Sequence, residues 1–146
     1  MRGDLLLAIE TSCDDTCAAV LDGPRILSNV ISSQAAAHEG FGGVVPEVAA
    51  RHHLGLAAPV VEAALQEAGV TLDDVEAVAA TAGPGLIGAL LVGISTAKGI
   101  AAARRLPLIP VYHLQGHVAA NFLEPDPLQP PFLCLVASGG HTLLAG

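Results

Sequence analysis

His113 and His117 stand four residues apart in the segment His-Leu-Gln-Gly-His, directly after the apolar run Leu108 to Tyr112. On a helix, residues at this spacing share one face, about one turn apart. Two imidazoles placed that way aim a ring nitrogen each at one ion, and imidazole is a favoured ligand of zinc, iron and other late divalent metals. A strand before them sets the pair at the carboxyl end of that strand, where open α/β sheets hold ligands. For the spacing alone, two unrelated histidines at a helix start remain the simpler reading.

Other segments could add chemistry. The turn Thr11-Ser12-Cys13-Asp14-Asp15-Thr16 is made of small polar residues. Its backbone N–H groups could hold phosphate oxygens, with Asp14 and Asp15 placed to bind a cation or take a proton. A solvated hairpin turn is the plainer alternative. Gly83-Pro84-Gly85 precedes a helix, whose amino terminus attracts anions. Ser138-Gly139-Gly140-His141 joins two apolar runs, and its glycines let backbone approach a ligand closely. Lys98, the only lysine, falls on an apolar stripe, where such a side chain ordinarily snorkels. His52 reads as a packed histidine, and His38 as an exposed one able to approach a ligand. Cys13 and Cys17 lack the second pair that a zinc knuckle needs, so they read as structural thiols.

The elements that must position these residues follow from pattern. Strands are predicted over Leu5 to Glu10, Cys17 to Leu21 and Ile26 to Ile31, joined by polar turns. Ser32 to Gly43 reads as a loop. A helix is predicted from Pro46 to about Ala68, closed by Gly69 and kinked at Pro59, with Val48, His52, Leu56, Val60 and Ala63 on one face. Val75 to Thr81 is a strand. Leu86 to Arg105 is a helix with Ile87, Leu91, Ile94 and Ala101 as its stripe. Leu108 to Tyr112 is the strand before the histidine helix. Glu124 to Pro131 reads as a linker, and Phe132 to Ala137 and Thr142 to Ala145 as strands. Three strands in a meander, followed by alternating helices and strands, give an α/β class: an RNase H-like or actin-like ATPase (ASKHA) lobe, a mixed sheet flanked by helices. Residues 1–129 form the lobe, and 130–146 open a second.

Composition bounds the function. The 146 residues are 52% hydrophobic, with four aromatic residues and no tryptophan, so the core must be aliphatic. Six basic residues against fourteen acidic give a net charge of −8. Phosphate backbones are bound by Lys and Arg, and single strands by stacking on aromatics, so this chain alone should bind nucleic acid poorly. No secretory signal is visible, and the apolar run Leu86 to Ile94 is broken by Gly88 and Gly93. Three cysteines without an export signal fit a reducing cytoplasm, with no membrane.

Taken in order, five segments resemble the TsaD family, whose members act in tRNA threonylcarbamoyladenosine synthesis. They are Ile9-Glu10-Thr11-Ser12-Cys13-Asp14-Asp15-Thr16, Gly42-Gly43-Val44-Val45-Pro46-Glu47, Gly83-Pro84-Gly85-Leu86-Ile87-Gly88, His113-x-x-Gly116-His117 and Ser138-Gly139-Gly140-His141-Thr142. The resemblance implies a two-lobed actin-like fold and a metal on His113 and His117: Fe2+ first, with Zn2+ or Mg2+ as alternatives. It implies an adenylate or ATP-type nucleotide in the cleft of the full-length protein, and substrate contacts from Val136, Ala137, Ser138, Gly139, Gly140 and His141. It implies a catalytic or orienting role for Asp14 and Asp15. The reaction would move a threonylcarbamoyl group from threonylcarbamoyl-AMP to N6 of adenosine 37 in tRNAs reading codons that begin with A. TsaB-like and TsaE-like subunits would be partners, and tRNA would be reached through the larger complex. The family usually has Asp-Glu where Asp14-Asp15 stands. Its third metal ligand, an aspartate, is expected beyond Gly146, so the chain reads as an inactive fragment prone to self-association.

Two alternatives compete. A non-catalytic TsaB-like interaction subunit would share the lobe, but such paralogues lack the paired histidines and the Ser-Gly-Gly-His turn. A metal-dependent glycoprotein endopeptidase would need a carboxylate between its histidines to activate water, and Leu114, Gln115 and Gly116 supply none.

Overall fold

Alternating burial along Leu5–Glu10 marks β1 as a strand with one side sealed and one side partly open. The computed structural model describes residues 4–138 and 142–146. β1 pairs antiparallel with β2 (Asp15–Asp22), which pairs antiparallel with β3 (Arg25–Ser33). On its other side β1 runs parallel to β4 (Ala77–Gly83), and β4 parallel to β5 (Leu108–Tyr112). The order β3-β2-β1-β4-β5 is that of the expected actin-like lobe. A separate hairpin joins β6 (Cys134–Ala137) to β7 (Thr142–Ala145).

The segment expected as a loop from Ser32 instead extends β3 to Ser33. It then forms a one-turn helix, α1 (Ala35–His38), and a 3-10 turn, Glu39–Phe41. The long helix, α2 (Pro46–Ala68), begins and ends where Pro46 and Gly69 mark it. Gly69 takes the left-handed conformation at φ 66° and closes the helix by donating to Gln66 and Leu65 carbonyls. Pro59 lies inside an unbroken helix on its exposed side.

The buried face of α2 is Ala49, His53, Ala57, Val60, Val61, Ala64 and Leu65. The face expected from Val48, His52 and Leu56 is therefore one residue out of phase, and His52 is exposed. α3 (Ile87–Arg104) is displaced in the same way. It buries Ala89, Leu90, Gly93, Ala97 and Ala101; of the expected stripe, Ala101 is buried and Ile94 packs against the core, while Ile87 and Leu91 are 78% and 57% exposed. Lys98 is also exposed and lies off the buried stripe. Small residues face the sheet because they let helix backbone come close, and the larger ones are turned out. α3 has the length and mean hydropathy (1.3) of a membrane span, but here it packs on β4, β1 and α2.

α2 and α3 cover one face of the sheet, burying Leu7, Ile9, Ala18, Val20 and Val78 beneath them. Among the described residues, α4 (His113–Ala119) packs on the opposite face, at the carboxyl end of β4 and β5. The rest of that face is a concavity of about 580 Å³ floored by Ala8, Ala19 and Ala79 and ending at His113 and His117.

A histidine pair at the end of the open sheet face

Strand periodicity sets Glu10 on the open face with Leu6 and Ala8, as the last residue of β1. Its carboxylate receives the backbone N–H of Ser12, the hydroxyl of Thr81 on β4, and the ring of His113, whose Nδ1 is 3.2 Å away. Burial by itself would push the Glu10 carboxyl up. The bonds from Ser12, Thr81 and His113 outweigh it and hold the group below its ordinary 4.5.

His113 opens α4 directly from the end of β5, so a strand end fixes its backbone. Its Nδ1 also lies 3.3 Å from the Ser12 hydroxyl. A carboxylate only accepts, so His113 carries its proton on Nδ1 and leaves a lone pair on Nε2. That Nε2 faces Nε2 of His117 at 3.0 Å, the rings meeting edge to face with centroids 4.5 Å apart. Two nitrogens each about 2.1 Å from one ion, at angles of about 90–110°, would stand about 3.0–3.4 Å apart. The pair therefore fits two ligands of one metal, with Glu10 as the carboxylate that orients a ligating imidazole. Among the described residues, no group of three or more His, Cys, Asp or Glu side chains completes such a site.

The turn between β1 and β2 reaches His113 through Ser12. Asp14 lies instead against the Cys13 thiol, which burial first, and then this carboxylate, pushes up. Asp15 begins β2 in phase with Cys17, on the open face. Burial, Asp15 and Glu10 together push the Cys17 thiol up to about 11. One acid thus sits at the edge of the open face, while the other is spent partly on its neighbour.

Three successive carbonyls of this turn point into the protein. Ser12 O accepts from the Leu86 amide at 2.8 Å, Cys13 O from Nε2 of His53 at 2.8 Å, and Asp14 O from the Gln34 amide at 3.1 Å. Because a peptide is planar and trans, the N–H groups of Cys13 and Asp14 point the opposite way. A Cβ on Gly85 would lie 2.6 Å from Ser12 O, so the approach of α3 to the turn requires glycine there.

Val136 is buried and β6 packs beside α4, whereas Ala137 and Ser138 are exposed. Gly139, Gly140 and His141 lie outside the described residues. His38, expected to be exposed, is 4% exposed and bonded to Gln34 and the Val45 amide. The packed histidine of α2 is His53 rather than His52. Glu10 and Ser12 stood out only as members of the first motif, and His53 not at all, because their partners lie far along the chain.

The chain matches the family TsaD, tRNA N6-adenosine threonylcarbamoyltransferase, over residues 25–146. Proteins named tRNA N6-adenosine threonylcarbamoyltransferase from Clostridium botulinum (strain 657) and Clostridium perfringens (strain SM101) are 58% and 57% identical to it. The matches cover 95% and 99% of this chain but 41% and 43% of those proteins, so the chain spans about two fifths of the length of the curated relatives it matches. Among solved structures, YeaZ from Pseudomonas aeruginosa superposes with a TM-score of 0.64 at 26% identity, covering 97% of this chain and 66% of that one. The fold, the paired histidines and these matches agree, and the chain belongs to the TsaD family.

Proposed function

We propose that this chain is the amino-terminal lobe of a cytoplasmic enzyme that transfers a threonylcarbamoyl group from threonylcarbamoyl-AMP to N6 of adenosine 37 in tRNA. The observation that carries it is the convergence of His113 and His117 at the end of the open sheet face, in a chain of this family. His113 and His117 would hold the metal through Nε2, Fe2+ first and Zn2+ or Mg2+ as alternatives. When bound, the metal supplies a Lewis acid that polarises the carbamoyl carbonyl. Glu10 and Ser12 keep the His113 ring turned toward that position. The outward N–H groups of Cys13 and Asp14 suit the phosphate of an adenylate. Asp15, at the edge of the open face, would take the proton of the attacking amine, with Asp14 orienting the turn. Val136 to His141 would line the substrate from the second lobe.

A net charge of −8 makes a bare tRNA complex unfavourable, so the tRNA is reached through partner subunits of the TsaB and TsaE kind. One apolar surface suits a helical partner. Ala50 of α2 meets Gly88 of α3, and Leu54 and Leu91, about one turn further on each helix, are 74% and 57% exposed beside Ile87. A non-catalytic TsaB-like role finds support in the YeaZ superposition, but it leaves the Glu10–His113–His117 arrangement without a use.

The test joins residues 1–146 to the carboxyl-terminal remainder of the Clostridium botulinum relative and assays threonylcarbamoyl transfer with all other pathway components. Loss of transfer in His113→Ala and His117→Ala, with loss of Co2+ binding seen in its visible spectrum, is the expected result. Transfer at wild-type rates without either histidine would overturn the proposal.

A further inference from the structure

Behind the turn lies a buried polar chain whose direction can be read atom by atom. The Val45 amide, just before α2, can only donate, and it donates to Nδ1 of His38 at 3.3 Å. His38 therefore carries its proton on Nε2 and donates it to Oε1 of Gln34 at 3.4 Å. That orients the Gln34 amide, whose Nε2 donates to Nδ1 of His53 at 3.3 Å and to Ala49 O at 3.5 Å. The Thr16 hydroxyl donates to the same Nδ1 at 2.8 Å. His53 must then carry its proton on Nε2, and it donates this to Cys13 O at 2.8 Å. The other end gives the same answer independently, since a carbonyl only accepts. All four side chains are sealed from solvent: His53 at 0%, Thr16 at 1%, Gln34 at 3% and His38 at 4% exposure.

We infer that His53 is a positioning residue for the turn that carries Asp14 and Asp15, and that the chain of bonds behind it makes the 42–45 loop a second determinant of that turn. A plain hydrophobic residue would fill the space under the turn. A neutral histidine with one defined tautomer also fixes which way the Cys13 carbonyl points, and with it the N–H of Asp14 on the other side of the same peptide. Gln34 acts twice, through its side chain on His53 and through its own amide on Asp14 O. The bonds run unbroken from Val45 through His38, Gln34 and His53 to Cys13, so a change in the loop reaches the turn without touching it. None of these groups contacts His113 or His117 in the bonds described, so the role is separate from metal binding.

The reaction part of this inference rests on the proposed function, and the experiment separates the two. In this chain, histidine 15N NMR should show His38 and His53 both as the Nε2–H tautomer. His38→Ala, which leaves His53 in place, should shift the amide resonances of Cys13 and Asp14. A Nδ1–H tautomer at His53, or turn amides unmoved in His38→Ala, would overturn the inference whatever the protein catalyses. In the joined protein, His53→Ala should lower kcat about 100-fold, the scale of a misplaced reacting group, with KM little changed. His53→Gln, which keeps a donor at the Nε2 position, should restore most of that rate, and His53→Asn should not. His38→Ala should lower kcat in the same direction and covers the case in which His53→Ala fails to fold. If His113→Ala abolishes transfer while folded His53→Ala and His38→Ala keep wild-type kcat, the positioning role fails and the proposed function stands. If His113→Ala also transfers normally, the proposed function fails, and the NMR result alone decides the inference.

Discussion

Among the described residues, Gly93 is the tightest joint between the helical layer and the turn after β1. A Cβ built there would lie 2.3 Å from the Thr11 hydroxyl oxygen, itself 2% exposed and donating to Ala89 O at 2.8 Å. Gly93→Ala therefore forces α3 outward or swings Thr11 off its partner. Overpacking a close contact costs about 1–3 kcal/mol, and a buried hydroxyl left without its bond costs about 1–3 kcal/mol more. Against these, alanine in a helix interior is worth about 1 kcal/mol over glycine. The balance is a destabilisation of about 1 kcal/mol where one of these costs is met and about 3 kcal/mol where both are. Gly99 supplies the internal control, because it lies in the same helix with nothing within 4 Å of its would-be Cβ. Gly99→Ala should stabilise by up to about 1 kcal/mol. Urea denaturation of both variants gives the signs. Thr11→Ala combined with Gly93→Ala should recover part of the loss, a coupling that only residues in contact show. If Gly93→Ala is neutral or as stabilising as Gly99→Ala, the packing of α3 on the turn is wrong.

Three other outcomes follow from groups near the site. Cys17, with its thiol pushed up to about 11, holds about one thiolate in a thousand at pH 8, so iodoacetamide followed by mass spectrometry should label it slowly and about tenfold faster per pH unit up to pH 10. Rapid labelling at neutral pH would contradict the placement of Asp15 and Glu10 around it. Glu10 has a folded-state carboxyl held below 4.5, so its contribution to stability is complete above that value and is lost as pH falls through the lower folded value. The stability gap between wild type and Glu10→Gln should narrow on acidification below about pH 4.5 in parallel denaturant titrations, and a gap constant from pH 7 to 3 would refute it. The β6–β7 hairpin exposes Leu135 and Leu144 at 66% and 65%, and two-stranded sheets alone are marginal. Light scattering across a concentration series should show self-association of this chain, relieved by Leu135→Lys with Leu144→Lys.

The succession of elements along the chain, the ends of α2 and the placement of the histidines after β5 were legible because each has a local mark: apolar runs such as Leu5–Glu10, Pro46 and Gly69 at the helix ends, and an apolar run before His113. The helix faces were not. Beside Val60, Val61, Leu65 and Leu90, the buried faces of α2 and α3 carry Ala49, Ala57, Ala89, Gly93 and Ala97, residues too small to announce a buried stripe, while Leu54, Ile87 and Leu91 point outward. His52 and His53 are neighbours in sequence, and only a one-residue phase separates solvent from the core. Glu10 meets His113 across 103 positions, and His53 meets Cys13 across 40, so both contacts exist only once the sheet is assembled. The short α1 follows Gln34 with three alanines and no capping side chain, too little to stand out from a loop.

The open face of the sheet carries one further consequence. Ala8 pairs with Ala19 on one side and with Ala79 on the other, so three adjacent strands place their smallest useful side chain in a single cross-strand row. The depth of the concavity is thus written in methyl groups rather than in backbone shape. Valine or leucine at the half-buried Ala8 or Ala19 would raise the floor like silt in a channel while leaving Leu7, Val20 and Val78 on the far side of the sheet undisturbed. The size of these three side chains therefore sets what can enter the space above them.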